Sequence, residues 1–257
     1  MKSIDLENFN IKQLALMKKA PKKLYYKGNL ELLNNRLVSI VGTRRPSAYT
    51  KEFTYKIARA LSKRGVTIVS GAAMGVDAIA HKGASPNNTI AVMANGIDIR
   101  YPKVNQTLIK SIEDNGLTIS FFEPGFKATR WSFVVRNELI VALGEILIVT
   151  EANLNSGTSR SIEFAKKMDK EIFVLPHRLN ESLATNQLLK EGRAKAIYDI
   201  EEFANRFGKI TEQKDEFLEY LETNPTFDEA ISKYGSKIYE AELNGIIAIE
   251  NGYIRVI

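Results

Sequence analysis

Short apolar runs alternate with longer amphipathic segments over residues 37–192. The runs are LVSIVG (37–42), VTIVSG (66–71), TIAVMANG (89–96), LTISFF (117–122), EILIVTEA (145–152) and EIFVLP (171–176). The segments with helical spacing lie near 47–64, 75–84, 104–115, 133–144, 158–169 and 183–192. Apolar, β-branched runs of strand length that alternate with helices predict a mostly parallel sheet covered on both faces. With right-handed crossovers, this is a doubly wound, Rossmann-like α/β fold.

The first part of the chain differs from this central pattern. Residues 1–36 are polar and lysine-rich, and we predict an N-terminal extension there. It contains a helical stretch near Ile11–Lys19, which Pro21 stops because proline cannot continue a helix. The Rossmann-like domain is then predicted over residues 37–208.

A polar break around Gly208–Lys214 precedes a small last part, residues 212–257. Three segments with helical spacing are followed there by IIAIENGYIRVI, in which apolar positions alternate on both sides of Asn-Gly. Asn-Gly between alternating segments is a strong hairpin signal. Three helices and a hairpin predict a winged-helix-like domain. The third helix of such a domain often reads DNA, but here it has Glu240 and Glu242, which favours a protein partner.

Charge is distributed unevenly between these parts. The chain has a net charge of +6. Residues 212–257 contain four basic and ten acidic residues, a net charge of −6, which leaves +12 on residues 1–211. A strongly basic body suits a polyanionic ligand, and an acidic domain would repel one. From charge alone, a surface that is simply rich in solvated lysine explains the body equally well.

The composition excludes several functional classes. Without cysteine, disulfides and thiolate chemistry are excluded, and His81 and His177 are too few for a histidine-rich metal site. No apolar run has membrane-spanning length and the N-terminus has no signal-peptide core, so we expect a cytoplasmic protein. The P-loop motif and the first-turn G-x-G-x-x-G of NAD enzymes are both missing, and no Ser–His–Asp constellation is evident. We therefore expect a non-catalytic protein without cofactor or metal.

Small polar residues follow three of the predicted strands. Gly42, Thr43, Arg44 and Ser47 follow the first; Ser70, Gly71 and Gly75 follow the second; Ser156, Gly157 and Thr158 follow the run at 145–152. In a parallel sheet these loops share one edge, where helix N-termini and glycine-rich backbone can bind phosphate. Each loop alone can equally be a tight turn with a helix cap. Together, they favour a broad phosphate-binding surface.

Six ordered motifs over residues 37–207 resemble the DNA-processing protein A (DprA/Smf) family. They are VGTRRPSAY, SGAAMGVDAIAH, ANGIDIRYPKVNQTL, SFFEPGFKATRWSFVVRNELIVALGE, VTEANLNSGTSRS and NQLL. The resemblance implies an extended Rossmann fold that binds single-stranded DNA and forms a homodimer. It also implies that the protein protects incoming DNA in natural transformation and loads the RecA recombinase onto it.

The resemblance also implies DNA-binding residues. These are Gly42, Thr43, Arg44, Ser47, Ser70, Gly71, Ala73, Gly75, Asn95, Gly96, Lys127, Arg136, Asn137, Ser156, Gly157 and Thr158. Asp98, Tyr101 and Pro102 match the third motif. The chain departs from the family at Arg45, at Ser159-Arg160-Ser161 and at His177, where the family has glycine after Val-Pro.

Several other residues have two possible interpretations. Trp131 and Phe133 flank Arg130 and Arg136, a mixture suited to base stacking beside phosphate, but either ring could belong to the core. A lysine-rich segment, Lys18, Lys19, Lys22 and Lys23, is either a solvated face or an auxiliary DNA contact. We expect His81 to pack and hydrogen-bond rather than to act as a base.

An enzyme remains the alternative function. Gly157, Thr158 and Glu163 faintly resemble the loop of LOG-type nucleotide phosphoribohydrolases, which belong to a related Rossmann group. The Pro-Gly-Gly-x-Gly-Thr signature of those enzymes is missing, because the loop reads NLNSGT.

Overall fold

A mixed β-sheet forms the centre of the larger of two units, Met1–Ile210 and Thr211–Ile257. The computed structural model describes residues 2–5, 11–210, 216–243 and 245–256. The strands described in the larger unit are β1 (Lys2–Asp5), β2 (Lys23–Gly28), β3 (Leu37–Val41), β4 (Thr67–Ser70), β5 (Thr89–Val92), β6 (Leu117–Ser120), β7 (Ile146–Val149), β8 (Ile172–Val174) and β9 (Lys195–Ala196). Their order is β1-β2-β6-β5-β4-β3-β7-β8-β9. Strands β3 to β9 are parallel, whereas β1 and β2 are antiparallel to their neighbours.

Helices cover both faces of this sheet. They are α1 (Ala48–Ser62), α2 (Val76–Ala84), α3 (Gln106–Asn115), α4 (Arg130–Leu143), α5 (Gly157–Lys167), α6 (Leu183–Lys190) and α7 (Ile200–Asn205). Alternate residues of each strand enter different cores: Leu37 and Val41 pack with α4, α5 and α6, whereas Val38 and Ile40 pack with α1, α2 and α7. This arrangement confirms the predicted Rossmann-like α/β fold. None of the described helices is long and apolar enough to span a bilayer.

Residues 1–36 differ from the extension that we predicted. Strand β2 pairs with β6, which is far away in the sequence, and β1 pairs with β2, so both belong to the main sheet. The predicted helical stretch is limited to one 3₁₀ helix, Lys12–Leu16. The physical reason is that β6 would otherwise be an exposed edge, and the Leu-Tyr-Tyr of β2 suits a half-buried strand. Residues 1 and 6–10 lie outside the described residues.

The smaller unit has helices followed by a hairpin. Its described elements are α8 (Glu216–Glu222), α9 (Phe227–Tyr234), α10 (Lys237–Leu243), β10 (Ile247–Glu250) and β11 (Tyr253–Val256). Between the strands, Asn251 and Gly252 have φ of 52° and 79°, as a two-residue hairpin turn requires. The element order is that of the winged-helix-like domain predicted from the sequence. Residues 211–215, 244 and 257 lie outside the described residues.

The strand order determines where a ligand can bind. β3 has β4 on one side and β7 on the other, so the chain reverses its direction of progress across the sheet at β3. In open α/β sheets, ligands bind beyond the carboxyl ends of the strands at such a position. The loops after β3, β4 and β7 are therefore neighbours at one edge of the sheet, as the sequence predicted.

Candidate nucleic-acid interface

An open pocket of about 350 Å³, including the space at its mouth, lies at this edge of the sheet. It is lined by Arg44, Gly71, Ala73, Met74, Ala94, Asn95, Tyr101, Pro102, Phe133 and Arg136. Five of the residues predicted to bind DNA meet here: Arg44, Gly71, Ala73, Asn95 and Arg136. The pocket combines two guanidinium groups with two aromatic rings, a composition suited to a ligand that has both phosphate and a planar base.

Arg44 is exposed and lies against the aromatic ring of Phe133. The guanidinium carbon of Arg44 is 5.3 Å from the centre of this ring. The centre of the Phe133 ring is also 6.1 Å from the centre of the Tyr101 ring. Stacking on an aromatic face orients a guanidinium while its N–H groups stay available for phosphate. Phe133, which the sequence left between base stacking and the core, lines the pocket and is only partly buried.

Arg136 has a different environment, because its side chain is 97% buried beneath the pocket. Its Nη1 donates hydrogen bonds to the carbonyl oxygens of Gly71 (2.7 Å) and Val92 (2.6 Å), and its Nε donates to Oδ1 of Asn137. Burial lowers the pKa of Arg136 to about 10, so the group is still protonated at neutral pH. Arg136 therefore holds the ends of β4 and β5 together while it contributes positive charge to the pocket.

Gly71 and Asp77 complete this support beneath the loop after β4. A Cβ at position 71 would lie 2.5 Å from Nη1 of Arg136 and 2.7 Å from Oδ2 of Asp77, so a larger residue there would displace these two side chains. Burial raises the pKa of the Asp77 carboxyl, although Arg136 and the backbone N–H groups of Ala73 and Gly71 partly offset this effect. The carboxylate is thus used to hold backbone rather than to face the pocket.

His81 is fully buried and also holds the loop after β4. Its Nε2 accepts a hydrogen bond from the backbone N–H of Ala72 (3.2 Å), and its Nδ1 lies 2.7 Å from Oγ1 of Thr89. Because burial lowers its pKa to about 3, the imidazole is neutral, and Nδ1 is then the donor to Thr89. This confirms the expectation that His81 packs and hydrogen-bonds.

Glu151, which the sequence reading did not single out, occupies the N-terminal end of α1. Its Oε2 accepts hydrogen bonds from the backbone N–H and the hydroxyl of Ser47, both at 3.0 Å. Partial burial raises the pKa of this carboxyl, but hydrogen bonds from Thr50 and Ser47 outweigh it, and the pKa is below its usual range. A protein carboxylate thus takes the place that we expected Ser47 to offer to phosphate. The signal available in the sequence was an acidic residue directly after a buried strand.

The other residues predicted to bind DNA in the loops after β3 and β4 form hydrogen bonds or close packing contacts within the protein. The Ser70 hydroxyl is buried and donates to the carbonyl oxygen of Ile40. Thr43 donates its N–H to the carbonyl oxygen of Glu151 and accepts from the N–H of Val76. Gly42 lies against the side chain of Val76, with no room for a Cβ.

Asn95 and Gly96 are buried in the loop after β5. The Asn95 Nδ2 donates to the carbonyl oxygens of Gly96 and Ile99. Asn95 also lines the pocket, whereas Gly96 lies against Asp98 and Glu123. This loop therefore shapes the pocket chiefly through its fold.

Lys127, Ser156, Gly157 and Thr158 do not line the pocket. Lys127 is exposed in the loop before α4, and the Ser156–Thr158 segment begins α5. At this helix end the backbone N–H of Ser156 donates to Oγ of Ser159, and a Cβ at Gly157 would meet open space. Within the described residues, no three His, Cys, Asp or Glu side chains come together as metal ligands.

Sequence reasoning missed part of the pocket wall. Met74 and Ala94 line it but have no distinctive chemistry in the sequence, whereas Tyr101 and Pro102, which also line it, were identified through the third motif. Ala94 lies in a run that we read as strand, although β5 ends at Val92. Their positions depend on the path of the loops, which residue types alone do not reveal.

The chain is similar to proteins of known family. A sequence model of the family described as DNA recombination-mediator protein A matches residues 7–208. Protein Smf of Synechocystis is 39% identical over 163 residues, which cover 61% of this chain and 41% of that protein. The chain therefore spans less than half the length of this relative.

Two solved structures of DNA processing protein A resemble this one. The protein from Helicobacter pylori, whose structural study concerns a unique single-stranded DNA binding mode, is 43% identical; its TM-score is 0.76, with 80% of this chain and 95% of that chain covered. The protein from Streptococcus pneumoniae is 32% identical, with a TM-score of 0.74 and 81% and 75% of the two chains covered. Together with the family match over most of the sequence, these likenesses confirm the resemblance: the chain belongs to the DNA recombination-mediator protein A (DprA/Smf) family.

Proposed function

We propose that this chain binds single-stranded DNA in the pocket at the carboxyl edge of its sheet. The observation that carries the proposal is the pair of arginines there: Arg44 is exposed and stacked on Phe133, and the buried Arg136 lies beneath. A guanidinium matches the geometry of phosphate oxygens, and an aromatic wall accepts a base. Contacts of this kind predict weak sequence preference and steep salt dependence.

A single strand fits this pocket better than a duplex does. The guanidinium groups of Arg44 and Arg136 already lie over the ring of Phe133, so the exposed ring of Tyr101 is the surface that a base can use, and only when the base has left its own stack. In a duplex, the bases are stacked on one another, and the phosphates alone would reach the edge of the sheet. The single-stranded DNA binding described for the H. pylori relative supports the same choice.

The protein acts by binding rather than by catalysis under this proposal. Asp77 and His81, two buried groups with strongly altered environments, are used in hydrogen bonds that hold the loop after β4. Neither of them lines the pocket. Incubation with nucleoside monophosphates tests the alternative phosphoribohydrolase activity, and we expect no free base to be released.

The cellular role that we propose follows the family. The protein would protect incoming single-stranded DNA in natural transformation and load the RecA recombinase onto it, acting as a cytoplasmic homodimer. The family description as a recombination mediator supports this role. RecA filament formation on DNA coated with single-strand-binding protein tests it: this chain should shorten the lag, and an unchanged lag would contradict the mediator role.

Fluorescence anisotropy with labelled oligonucleotides tests the binding itself. We expect oligo-dT to bind more tightly than a duplex of equal length, with affinity that falls steeply as salt increases. If oligo-dT does not associate with the purified protein even at low salt, the proposed function is wrong.

A further inference from the structure

Trp131, the single tryptophan of the chain, is exposed in the first turn of α4. Its relative exposure is 62%, and Val134, one turn further along the same face, is also exposed. Phe133 of the same turn lines the DNA pocket, but residues two apart on a helix point to opposite sides. Trp131 therefore lies outside the pocket, on another face of α4. A large exposed apolar side chain is informative when other features around it point to a ligand.

The ring of Trp131 is held in place from one side. It packs edge to face with Phe122, at 5.9 Å between ring centres, and Phe122 is stacked on Phe126 at 4.6 Å. The helix end beneath it is secured by Thr129, whose hydroxyl accepts the N–H of Ser132. An indole that is supported by other rings and still mostly exposed is preorganised to stack on a further planar group.

Basic residues precede this indole in the chain, and another lies against its helix. Lys127 and Arg130 are exposed, and neither side chain has an ion pair or hydrogen bond within the described residues. On the same face of α4, seven residues from Trp131, Glu138 accepts the backbone N–H of Lys18 at 2.9 Å. This contact places Lys18 beside α4, and the other exposed lysines of that segment, Lys19, Lys22 and Lys23, follow it in the chain.

We propose that Trp131 stacks on a base of the single strand after it leaves the pocket, so that this face of α4 forms a second DNA contact. The strand would cross the N-terminal end of α4, with Lys127 and Arg130 beside its phosphates. The inference rests on the proposed function, because the pocket supplies the first contact. It extends that function by adding a second surface on which a base stacks. DNA must then exceed a minimum length to reach both the pocket and Trp131.

The surroundings favour nucleic acid over protein as the occupant. Lysine is depleted at protein–protein interfaces, whereas basic side chains interleaved with an aromatic ring are typical of single-strand binding. Two carboxylates near this face, Glu123 and Glu138, accept hydrogen bonds from the hydroxyl of Tyr25 and the backbone N–H of Lys18 and keep their negative charge. The basic side chains named above outnumber them.

Tryptophan fluorescence tests the proposal directly, because Trp131 is the only emitter of its kind in the chain. The full chain is titrated with oligo-dT from about 4 to about 16 nucleotides, a range of known single-strand site sizes. Anisotropy of a label on the DNA reports total binding, and quenching of Trp131 reports stacking. We expect short oligomers to bind without quenching and longer ones to quench. An oligomer whose terminal bases are replaced by abasic sites should bind with reduced quenching.

Variants separate the two contacts. Trp131→Ala should weaken binding of the long oligomer about tenfold and leave the short one unchanged, whereas Trp131→Phe should retain most of the affinity. The matched control is Tyr198→Ala, which removes an 84% exposed aromatic ring after β9, at the far edge of the sheet from β6. This control should bind both oligomers normally.

Three results would overturn the proposal. One is tight binding of the longest oligomer with no change in Trp131 emission, which leaves the pocket proposal intact. A second is equal binding of the long oligomer by Trp131→Ala and the parent chain. The third is a change in emission with protein concentration alone, which would make this face an interface between copies. Absence of any DNA binding would instead refute the proposed function itself.

Discussion

Arg44 and Arg136 line the same pocket in opposite environments. Arg44 is exposed and its guanidinium lies over the ring of Phe133, so its N–H groups are available to phosphate. Arg136 is buried and donates to two backbone carbonyls, so its first role is structural. The same residue type at one site therefore serves two purposes, which mutation can separate.

Arg44→Ala should weaken single-stranded DNA binding to all sequences and lower the slope of log affinity against log salt by about one, as the loss of one phosphate contact does. Arg45→Ala is the matched control, because Arg45 is the exposed neighbour that does not line the pocket. An anisotropy titration over a salt series measures both. Equal slopes for the parent and Arg44→Ala would contradict this placement.

Arg136→Met should instead lower the free energy of unfolding by about 2–4 kcal/mol, because two buried carbonyl groups lose their donor. Chemical denaturation of the larger unit measures this change, and Arg44→Ala serves as the comparison that should unfold like the parent. If Arg136→Met unfolds at the parent's denaturant concentration, the structural role is wrong.

The lowered pKa of the Glu151 carboxyl predicts that the stability of the protein depends on pH. The folded-state pKa of its carboxyl is lower than the unfolded value of about 4.3, so its contribution is present above that pH and is lost as the pH falls through the folded pKa. Glu151→Gln should therefore melt at a lower temperature than the parent at pH 7, and the difference should shrink below about pH 4. Thermal melts across this range provide the measurement. A difference that stays constant down to acid pH would exclude ionisation as the cause.

At the scale of elements, the loops after β3 and β4 are built against one another. Gly75, at the start of α2, has φ of 78°, and a Cβ there would lie 2.4 Å from the carbonyl oxygen of Thr43. The N–H of Val76 also donates to this oxygen. The N-terminal end of α2 therefore sets the backbone path that carries Arg44.

Gly75→Ala should reduce both stability and DNA affinity, because the new methyl group displaces the loop that carries Arg44. Gly125→Ala is the matched control: φ at Gly125 is 81°, but a Cβ there meets no atom within 4 Å. The control pays only the cost of the backbone conformation, about 1 kcal/mol. Melting temperature and anisotropy measure the two effects. Similar losses in both variants would show that contact with Thr43 is unimportant.

At the scale of the whole molecule, charge differs between the two units. The net charge of −6 on residues 212–257 contrasts with +12 on the rest of the chain. An acidic unit tethered to a DNA-binding unit lowers the local concentration of a polyanion at low ionic strength. This argues against DNA as the ligand of the smaller unit and leaves a protein partner as our proposal.

A chain of residues 1–210 should bind oligo-dT more tightly than the full chain at low salt, and the two should converge as screening increases. Residues 211–257 alone should not shift labelled DNA in a gel. The larger unit contains its own cores, so we expect it to fold without the smaller one. Tight DNA binding by residues 211–257 would overturn the proposed division of roles.

Local patterning determined most of the elements. The strands β3 to β8 and helices α1 to α6 lie within or close to the runs read from the sequence, because the periods of strand and helix are set by residues near one another. The hairpin at Asn251-Gly252 could be predicted for the same reason, because two adjacent residues specify its turn. The common edge of the three loops followed from these elements and the rule of right-handed connections.

Tertiary structure alone decided which polar residues remain available to a ligand. The resemblance implied that Arg136 and Ser47 bind DNA, yet Arg136 is buried beneath the pocket and Ser47 donates its hydroxyl and backbone N–H to Glu151. Strand β2 likewise needed β6, which is distant in the sequence, as its partner. The physical reason is common to all three: burial and pairing are properties of segments far apart in the chain, which come together only when the sheet forms.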